Sequence, residues 1–316
     1  MSLFFDIAKT IFTARYSEKE ESRFGHVNSV NYYVTSIEDS LEVEDIATAG
    51  KIIIEALCHY PDSVDLLEME RNVNHLNYLK IVSKRFPGHP YLTWLQWFHK
   101  TLRPRTYLEI GVESGQSLQF ACAPTRAVGV DPEIRIVHGQ ENWVKLFKLT
   151  SDHFFSSMNI EKVFDASSID FAFIDGLHTY DQALKDFINI EKYSNKRTVV
   201  LFHDIFPIIP LTAERDRKTT FWVGDTWKVM LILLKVRPDL GIFTIPTFPS
   251  GLGVITNLNR SSTILSDDFD SLCDEANKLD LKTFPNGIGD NINTIKNEYE
   301  AVASLLVDIL MPSQQK

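Results

Sequence analysis

The feature that most constrains this fold is the alternation of short β-rich runs with helical segments after Pro104. Such alternation predicts strands joined by crossover helices, hence a parallel α/β sheet with both faces covered. Continuous apolar runs, rather than alternating ones, are typical of strands buried on both faces. The β-rich runs are "TYLEI", "AVGV", "VKLFKLT", "IDFAFI" and "TVVLFH", and the parts "FAFI" and "VVLF" are continuously apolar.

The end of the predicted sheet differs from its beginning. "GIFTI" and "GVIT" are separated only by "PTFPSGL", which is too short for a crossover helix. Two strands joined in this way must be antiparallel neighbours. We therefore expect a Rossmann-like sheet, mostly parallel, that ends in an antiparallel strand.

Helical patterns flank this region. Residues 1–89 are predicted to form a mostly helical extension, in which residues 1–40 are an irregular or partly helical arm. The α/β domain is placed at residues 90–257. Residues 258–316 return to acidic helical patterns, which indicates a C-terminal helical extension for packing or for dimerisation into a homo-oligomer.

Charge and cysteine usage exclude several classes of protein. Lys plus Arg is 32 and Asp plus Glu is 42, so the formal net charge is 32 − 42 = −10. A chain this acidic, without a basic run, predicts no nucleic-acid partner. The 3 cysteines lie far apart, which argues against a disulfide framework and a thiolate zinc site. We find a poor signal peptide and no stretch of ~18 apolar residues, so we expect a cytoplasmic protein without a membrane partner.

The segment "TYLEIGVESGQSLQFA" is predicted to be a strand, a glycine-containing turn and the start of a helix. Asp131 follows Gly111 by about 20 residues, the separation at which a carboxylate on the next strand reaches ribose hydroxyls. Glu109 and Glu113 would oppose the phosphates of a dinucleotide. The charges therefore favour a cationic nucleoside such as S-adenosylmethionine (SAM), against the alternative of a glycine turn that serves only packing.

Acids and histidines follow the next two strands. "FIDGLHTYDQALKDF" places Asp175 and His178 after one strand, and "VVLFHD" places His203 and Asp204 at the end of the next. Because the carboxyl ends of parallel strands share one edge, we expect these four side chains to converge. These residue types fit two roles, and the sequence does not decide between them: general-base catalysis by a histidine, and binding of a divalent metal. Thr179 and Gln182 have the spacing of a capping box for the helix that follows.

A long segment then separates strand and helix. Residues 205–229 carry prolines, charges and two tryptophans, which is typical of a lid over a pocket. We expect Trp227 and Met230 to pack in the helix. The candidate acceptor-binding residues are Arg215, Arg217, Trp222 and Asp225.

Several of these motifs together resemble one bacterial family. "YLEIGVESGQSL", "AVGVDP", "FAFIDGLHTYDQALKDF", "VVLFHD" and "GDTWKV" are similar to class I SAM-dependent methyltransferases related to sugar and macrolide O-methyltransferases. The resemblance runs from about Pro90 to Asn257. It implies the reversed terminal strand inferred above, and a domain of this family at residues 90–257.

The resemblance also implies a set of site residues. Asp131 would take the ribose, and Ser151 or Asp152 would approach the adenine amino group. Related sugar O-methyltransferases hold magnesium at the matching strand tips, which here implies Asp175, His203 and Asp204, with His203 where an acid is commoner. The residues around the methionine part of SAM would be Glu109, Gly111, Ser114, Gly115 and Ser117, with Asp175 completing the cofactor site.

We therefore predict a SAM-dependent methyltransferase that methylates an oxygen of a small polar or sugar-like acceptor. His178 or His203 is the candidate base, and Asp175 is a catalytic candidate that positions groups, with Asp204, directly or through a metal. Two alternatives are a nicotinamide-dependent oxidoreductase on a Rossmann sheet and a nucleoside-binding protein without turnover.

Overall fold

A computed structural model describes residues 29–136, 144–284 and 287–310 of the chain. The chain divides into two compact units between Asn77 and Tyr78. The part of the predicted N-terminal arm at residues 1–28 lies outside the described residues. The predicted boundaries at residues 90 and 257 stay predictions.

The described part of the first unit, residues 29–77, is mainly helical. A helix begins after Ser29, whose hydroxyl accepts a hydrogen bond from the Tyr32 N–H, and the next begins after Asp45, which caps the Thr48 N–H. Buried apolar side chains such as Ile37, Ile53 and Val73 join these helices in one core. The helices are α1 (Val30–Glu42), α2 (Ile46–His59) and α3 (Val64–Arg85), and the division between the units falls within α3.

The second unit contains a seven-stranded sheet of order β3-β2-β1-β4-β5-β7-β6. Strands β1 to β5 pair in parallel, whereas β7 is antiparallel to both β5 and β6. The predicted sheet with its terminal antiparallel hairpin is thereby confirmed. The strands are β1 (Thr106–Ile110), β2 (Arg126–Val130), β3 (Val144–Phe147), β4 (Phe171–Ile174), β5 (Val199–His203), β6 (Gly241–Ile245) and β7 (Leu252–Thr256).

Helices cover both faces of this sheet. Along β4, Phe171 and Phe173 belong to one hydrophobic core, whereas Ala172 and Ile174 belong to the other. Successive strand residues point to opposite faces, so a sheet with two cores needs continuous apolar strands. The helices are α4 (Tyr91–Leu102), α5 (Ser151–Ser157), α6 (Ile160–Phe164), α7 (Tyr180–Glu191), α8 (Lys228–Val236), α9 (Ile264–Asp267), α10 (Phe269–Ala276), α11 (Tyr299–Leu305) and α12 (Val307–Leu310).

Short 3-10 turns lie at Leu118–Phe120, Pro210–Ala213, Leu281–Thr283 and Gly289–Asn291. Within the part of the chain that the structure describes, no helix combines the length and the apolar character needed to cross a membrane.

One buried ion pair joins the ends of two helices on the sheet. Arg237 follows α8, is fully buried, and makes two hydrogen bonds of 2.8 Å to the Glu191 carboxylate at the end of α7. Removing one partner would leave a buried charge uncompensated, so the pair fixes how α7 and α8 end. The start of α7, at the opposite end, carries the candidate site.

Candidate active site

The glycine turn after β1 lies against the tip of β4. Gly111 has φ +89°, in the left-handed region, and a Cβ built there would come within 2.0 Å of the Asp175 carbonyl oxygen. Only glycine fits such a backbone and such a distance. The turn predicted to hold the cofactor and the strand tip predicted to hold catalytic groups are therefore adjacent.

The Glu109 carboxyl is buried and hydrogen-bonded to other side chains of the protein. Its side chain is fully buried, with Oε1 accepting a hydrogen bond from Ser117 Oγ (2.5 Å) and Oε2 one from Tyr107 Oη (2.6 Å). Burial raises the pKa of Glu109 to about 8, although the two hydroxyl donors act in the opposite direction. This carboxyl ties β1 to the turn; its predicted place beside the methionine part of SAM stays a prediction, as does that of Ser114 and Gly115.

Asp131 closes the turn from the tip of β2. Its Oδ2 accepts hydrogen bonds from the N–H groups of Val112 and Glu113, each at 2.9 Å, and Oδ1 accepts one from the Glu133 N–H. The two N–H groups of the turn thus face a carboxylate. A pyrophosphate would need such N–H groups for itself.

The predicted adenine contacts lie at the start of α5. Gln182 Nε2, from α7, lies 3.1 Å from Ser151 Oγ, 3.0 Å from Asp152 Oδ1 and 3.1 Å from Asp186 Oδ1. Burial raises the pKa of Asp186 to about 7. Sequence reasoning missed this bridge because it assigned Gln182 to a capping box.

The capping-box prediction is wrong in its partners. Thr179 is the N-cap residue of α7, as expected, but it makes no side-chain cap hydrogen bond. Asp225 Oδ1 instead accepts a hydrogen bond from the Tyr180 N–H at 3.0 Å. A carboxylate from the lid segment satisfies the helix end and its dipole better than a local hydroxyl.

The structure brings the predicted acids and histidines together at the carboxyl edge of the sheet. His178 Nδ1 lies 2.9 Å from Asp204 Oδ2, and His178 Nε2 lies 3.6 Å from Asp175 Oδ1. His203 Nδ1 lies 3.1 Å from the same Asp175 oxygen. We call this group the acid–histidine cluster: Asp175, His178, His203 and Asp204.

His178 is the more accessible histidine of the cluster. Its side chain is 25% exposed, and its backbone has φ 59°, an uncommon value for a residue other than glycine. Nδ1 also lies 3.3 Å from the Trp222 carbonyl oxygen, so Nε2, 3.6 Å from Asp175 Oδ1, is the less engaged ring nitrogen. Burial opposes protonation, but the Asp204 and Asp175 carboxylates outweigh it and raise the pKa of His178 to about 9.

His203 has both ring nitrogens engaged. Ser250 Oγ donates its one hydrogen to Asp204 Oδ1 at 2.6 Å and lies 3.3 Å from His203 Nε2. Nε2 must then donate to Ser250, while Nδ1 donates to Asp175. Burial opposes a second proton, yet the two carboxylates raise the pKa of His203, in agreement with this assignment.

The cluster also has the chemistry of a metal site. Ligand atoms of Asp175, His178 and Asp204 all lie within 4.8 Å of one another, whereas the resemblance implied His203 as the histidine ligand. The buried Asp204 Oδ2 faces His178 Nδ1 at 2.9 Å. A cavity of about 10 Å³, the room of one water molecule or ion, adjoins these residues. Carboxylate oxygens beside such a cavity fit a small divalent cation.

Two contributors to the cluster were missed by sequence reasoning. Tyr91, the first residue of α4, stacks on the His203 ring with a centroid distance of 4.4 Å. Ser250 lies in the turn between β6 and β7 and is buried. Tyr91 carries no local signal, and the only sign of Ser250 is its place in a Pro-Ser-Gly turn.

The four predicted acceptor-binding residues have different surroundings. Trp222 stacks on His178 with ring centroids 5.1 Å apart, and its Nε1 donates to the Glu214 carbonyl oxygen. Asp225 is buried as a helix cap, and its N–H donates to the His178 carbonyl oxygen. Arg215 pairs with Asp181 and Asp225. Arg217 bonds carbonyl oxygens of its own segment. As expected, Trp227 and Met230 are core residues.

A backbone contact fixes the lid segment to the cluster. Gly224 has φ +66°, and a Cβ there would lie 1.9 Å from the His178 carbonyl oxygen. The end of the lid segment thus packs directly on the loop that carries His178.

Part of the chain is similar in sequence to known proteins. Residues 108–205 match a family model described as a methyltransferase domain. A protein of Sinorhizobium fredii, called uncharacterized protein y4gI, is 26% identical over 190 residues, which are 52% of this chain and 19% of that protein. The chain therefore spans about a fifth of this relative's length.

Two solved structures are similar to the chain at low identity. The Podospora anserina methyltransferase PaMTH1, bound to SAH, is 16% identical with a TM-score of 0.41, over 58% of this chain and 87% of that one. The O-methyltransferase TomG of Streptomyces achromogenes, in complex with SAM, is 14% identical with a TM-score of 0.41, over 58% and 90%.

The match lies between β1 and the end of β5 and includes the glycine turn and the acid–histidine cluster. The sheet order and the reversed β7 agree with the resemblance stated from the sequence, which is confirmed. Residues 108–205 of this chain match the model of the methyltransferase-domain family.

Proposed function

We propose that the chain is a SAM-dependent O-methyltransferase whose acceptor is a small polar or sugar-like molecule. One observation carries the proposal: the glycine turn and the acid–histidine cluster are contiguous, with Gly111 packed on the Asp175 carbonyl. A methyl donor on the turn and an acceptor hydroxyl beside His178 would therefore be neighbours. Orientation of the two reactants supplies much of the rate of such a transfer.

The turn favours SAM over a dinucleotide. The N–H groups of Val112 and Glu113 are taken by the Asp131 carboxylate, and Glu113 adds a further negative charge. These groups repel a pyrophosphate but suit a ligand with a sulfonium and an ammonium group. The nicotinamide-dependent alternative therefore lacks the phosphate site that it requires.

His178 is the proposed general base. A lone pair of the acceptor oxygen forms a bond to the methyl carbon, the carbon–sulfur bond breaks toward sulfur, and the hydroxyl proton passes to His178 Nε2. Nδ1 keeps its hydrogen toward Asp204 and the Trp222 carbonyl, which holds the ring in the required tautomer. His203 is unsuited to this role because both of its nitrogens donate within the protein.

Asp175 and Asp204 are the residues that would hold a divalent cation such as Mg²⁺. Such an ion would offset the negative charge that raises the pKa of His178, and would lower the pKa of an acceptor hydroxyl. Without it, His178 loses its proton only as the pH approaches about 9, so the rate would rise with pH toward that value. Rate–pH profiles with EDTA and with added Mg²⁺ test this role. A profile unchanged by either treatment would exclude it.

The proposed function is tested by calorimetry and by label transfer. SAM and SAH should bind in the micromolar range, and NAD⁺ should not bind at the same concentrations. Transfer of tritium from methyl-labelled SAM should then be detected with members of a panel of sugars, polyols and hydroxylated rings. NAD⁺ binding without SAH binding would overturn the proposal, and SAH binding without transfer to any acceptor would favour a nucleoside-binding protein.

A further inference from the structure

We propose that Tyr91 is a positioning residue for methyl transfer. Through the face of its ring it holds the His203 imidazole, and His203 in turn holds the Asp175 carboxylate. The inference rests on the proposed function and adds to it a residue from α4, outside the matched segment 108–205.

The backbone of Tyr91 is fixed before its side chain is considered. Its N–H donates to the Phe248 carbonyl oxygen at 2.9 Å, and Thr247 Oγ1 donates to the His89 carbonyl oxygen at 2.5 Å. Phe248, the acceptor of the first bond, and Thr247, the donor of the second, both lie in the turn between β6 and β7. The first turn of α4 is therefore pinned to the same turn that supplies Ser250.

The side chain of Tyr91 then meets His203 face to face. The two ring centroids are 4.4 Å apart with an interplanar angle of 29°. Hydrogen bonds to Asp175 and Ser250 hold the edge of the imidazole, while Tyr91 covers its face. Aromatic contacts of this kind restrict a ring in the direction that hydrogen bonds leave free.

The hydroxyl of Tyr91 is not what anchors it. Among the residues that the structure describes, this hydroxyl has no hydrogen-bond partner, whereas those of Tyr107 and Tyr180 do. The contact that connects Tyr91 to the cluster is therefore the ring itself. This predicts that phenylalanine can replace Tyr91 and that an aliphatic residue cannot.

The consequence for chemistry passes through Asp175. His203 Nδ1 donates to Asp175 Oδ1, the oxygen that also lies 3.6 Å from His178 Nε2. A His203 ring that rotates takes its donor away from this oxygen, and the carboxylate then loses its fixed place beside the base. A displacement of about 1 Å near reacting groups can lower a rate by about 100-fold.

The experiment compares Tyr91→Phe with Tyr91→Leu in the full-length protein. Protein labelled with ¹⁵N-histidine gives the ring resonances of His203, assigned by their loss in His203→Gln. We expect Tyr91→Phe to keep the wild-type shifts. Tyr91→Leu should move and broaden the His203 signals, because the ring current and the restraint are both lost, and leave those of the exposed His153 unchanged.

Kinetics with the acceptor found in the panel tests the consequence. For Tyr91→Leu we expect kcat to fall by about 10- to 100-fold with the KM for SAM unchanged within about twofold. Tyr91→Phe should retain the wild-type kcat. A residue that only packs would lower the melting temperature in Tyr91→Leu but leave kcat of the folded enzyme and the His203 signals as they were.

Two results overturn the proposal. One is a Tyr91→Leu protein whose His203 resonances match the wild type, a result that decides the matter whether or not an acceptor has been found. The other is a Tyr91→Phe protein as impaired as Tyr91→Leu, which would assign the effect to the hydroxyl. If Tyr91→Leu does not fold, Tyr91→Met with the same measurements takes its place. Absence of methyl transfer in the wild type bears on the proposed function alone.

Discussion

The glycine turn and the acid–histidine cluster lie next to each other at one sheet edge, yet they use their carboxylates differently. In the turn, Glu109 and Asp131 direct their oxygens at hydroxyl and N–H donors of the protein. In the cluster, Asp204 directs one buried oxygen at the His178 imidazole, beside a small cavity. A carboxylate that accepts hydrogen bonds from N–H and hydroxyl groups maintains backbone shape, whereas one paired with titratable imidazoles is arranged for a ligand or a proton.

The largest effect should follow from a change in the cluster. In His178→Gln we expect kcat to fall by about 10²- to 10⁴-fold, the range of general-base catalysis, because no imidazole remains to accept the acceptor proton. SAH affinity, measured by calorimetry, should stay at the wild-type value, because His178 serves chemistry and the turn serves binding. The exposed His153→Gln is the matched control. Equal losses of kcat and of SAH affinity would contradict the assignment of chemistry to the cluster and of cofactor binding to the turn.

A change in the turn should act on binding and stability together. In Gly111→Ala, the new Cβ meets the Asp175 carbonyl oxygen at 2.0 Å in a left-handed backbone. We expect the free energy of unfolding to fall by about 2–4 kcal/mol, from backbone strain and overpacking, and SAH binding to be lost. Urea unfolding and calorimetry measure both. Gly50→Ala is the control, because its nearest contact is 3.9 Å away. Wild-type SAH affinity in Gly111→Ala would place the cofactor elsewhere.

A smaller effect is expected where the hairpin turn supports the cluster. Ser250→Ala removes the 2.6 Å hydrogen bond to Asp204 and leaves a buried acceptor unpaired. The free energy of unfolding should fall by about 1–3 kcal/mol. Urea unfolding with the exposed Ser156→Ala as control gives the difference. If Ser250→Ala is as stable as this control, the hairpin turn does not brace Asp204.

The smallest effect concerns the pH dependence of stability. The pKa of Glu109 is raised from 4.5 to about 8 in the folded state, so the folded state holds this proton more tightly than the unfolded chain does. Its stabilising contribution is complete below pH 4.5 and is lost as the pH rises through about 8.

Glu109→Gln should therefore become more stable relative to wild type between about pH 6 and about pH 9 in urea titrations. The exposed Glu161→Gln serves as the control and should follow the wild type at both pH values. A constant difference between Glu109→Gln and wild type would show that the Glu109 carboxyl is ionised throughout.

The strands and the sheet edge that they share could be predicted from the sequence because the patterns that indicate them are local. The run "TYLEI" is β1 to the residue, and the short "PTFPSGL" linker predicted the antiparallel β6 and β7 correctly. To predict that Asp175 and Asp204 lie close together, we needed only the rule that neighbouring parallel strands end at the same edge of the sheet. Such inferences use neighbours in the chain and the handedness of α/β connections.

The remaining contacts depend on packing between distant segments. Asp225 caps α7 in place of Thr179, Tyr91 covers His203, and Ser250 reaches Asp204 from a hairpin turn. Each joins segments that no periodicity or motif relates. Such contacts depend on how the folded chain packs. Sequence patterns therefore predicted the members of the cluster but not the residues that support it.

The attachment of Gly224 to the His178 carbonyl limits how this chain can be re-engineered. Residues 222–225 include a tryptophan stacked on the proposed base and a helix cap, so exchanging them would disturb the proposed site and the fold at once. The stretch 216–219 is mostly exposed and makes none of those contacts. Libraries that diversify this stretch alone would therefore test whether the segment selects the proposed acceptor, while the contacts to His178 stay as they are.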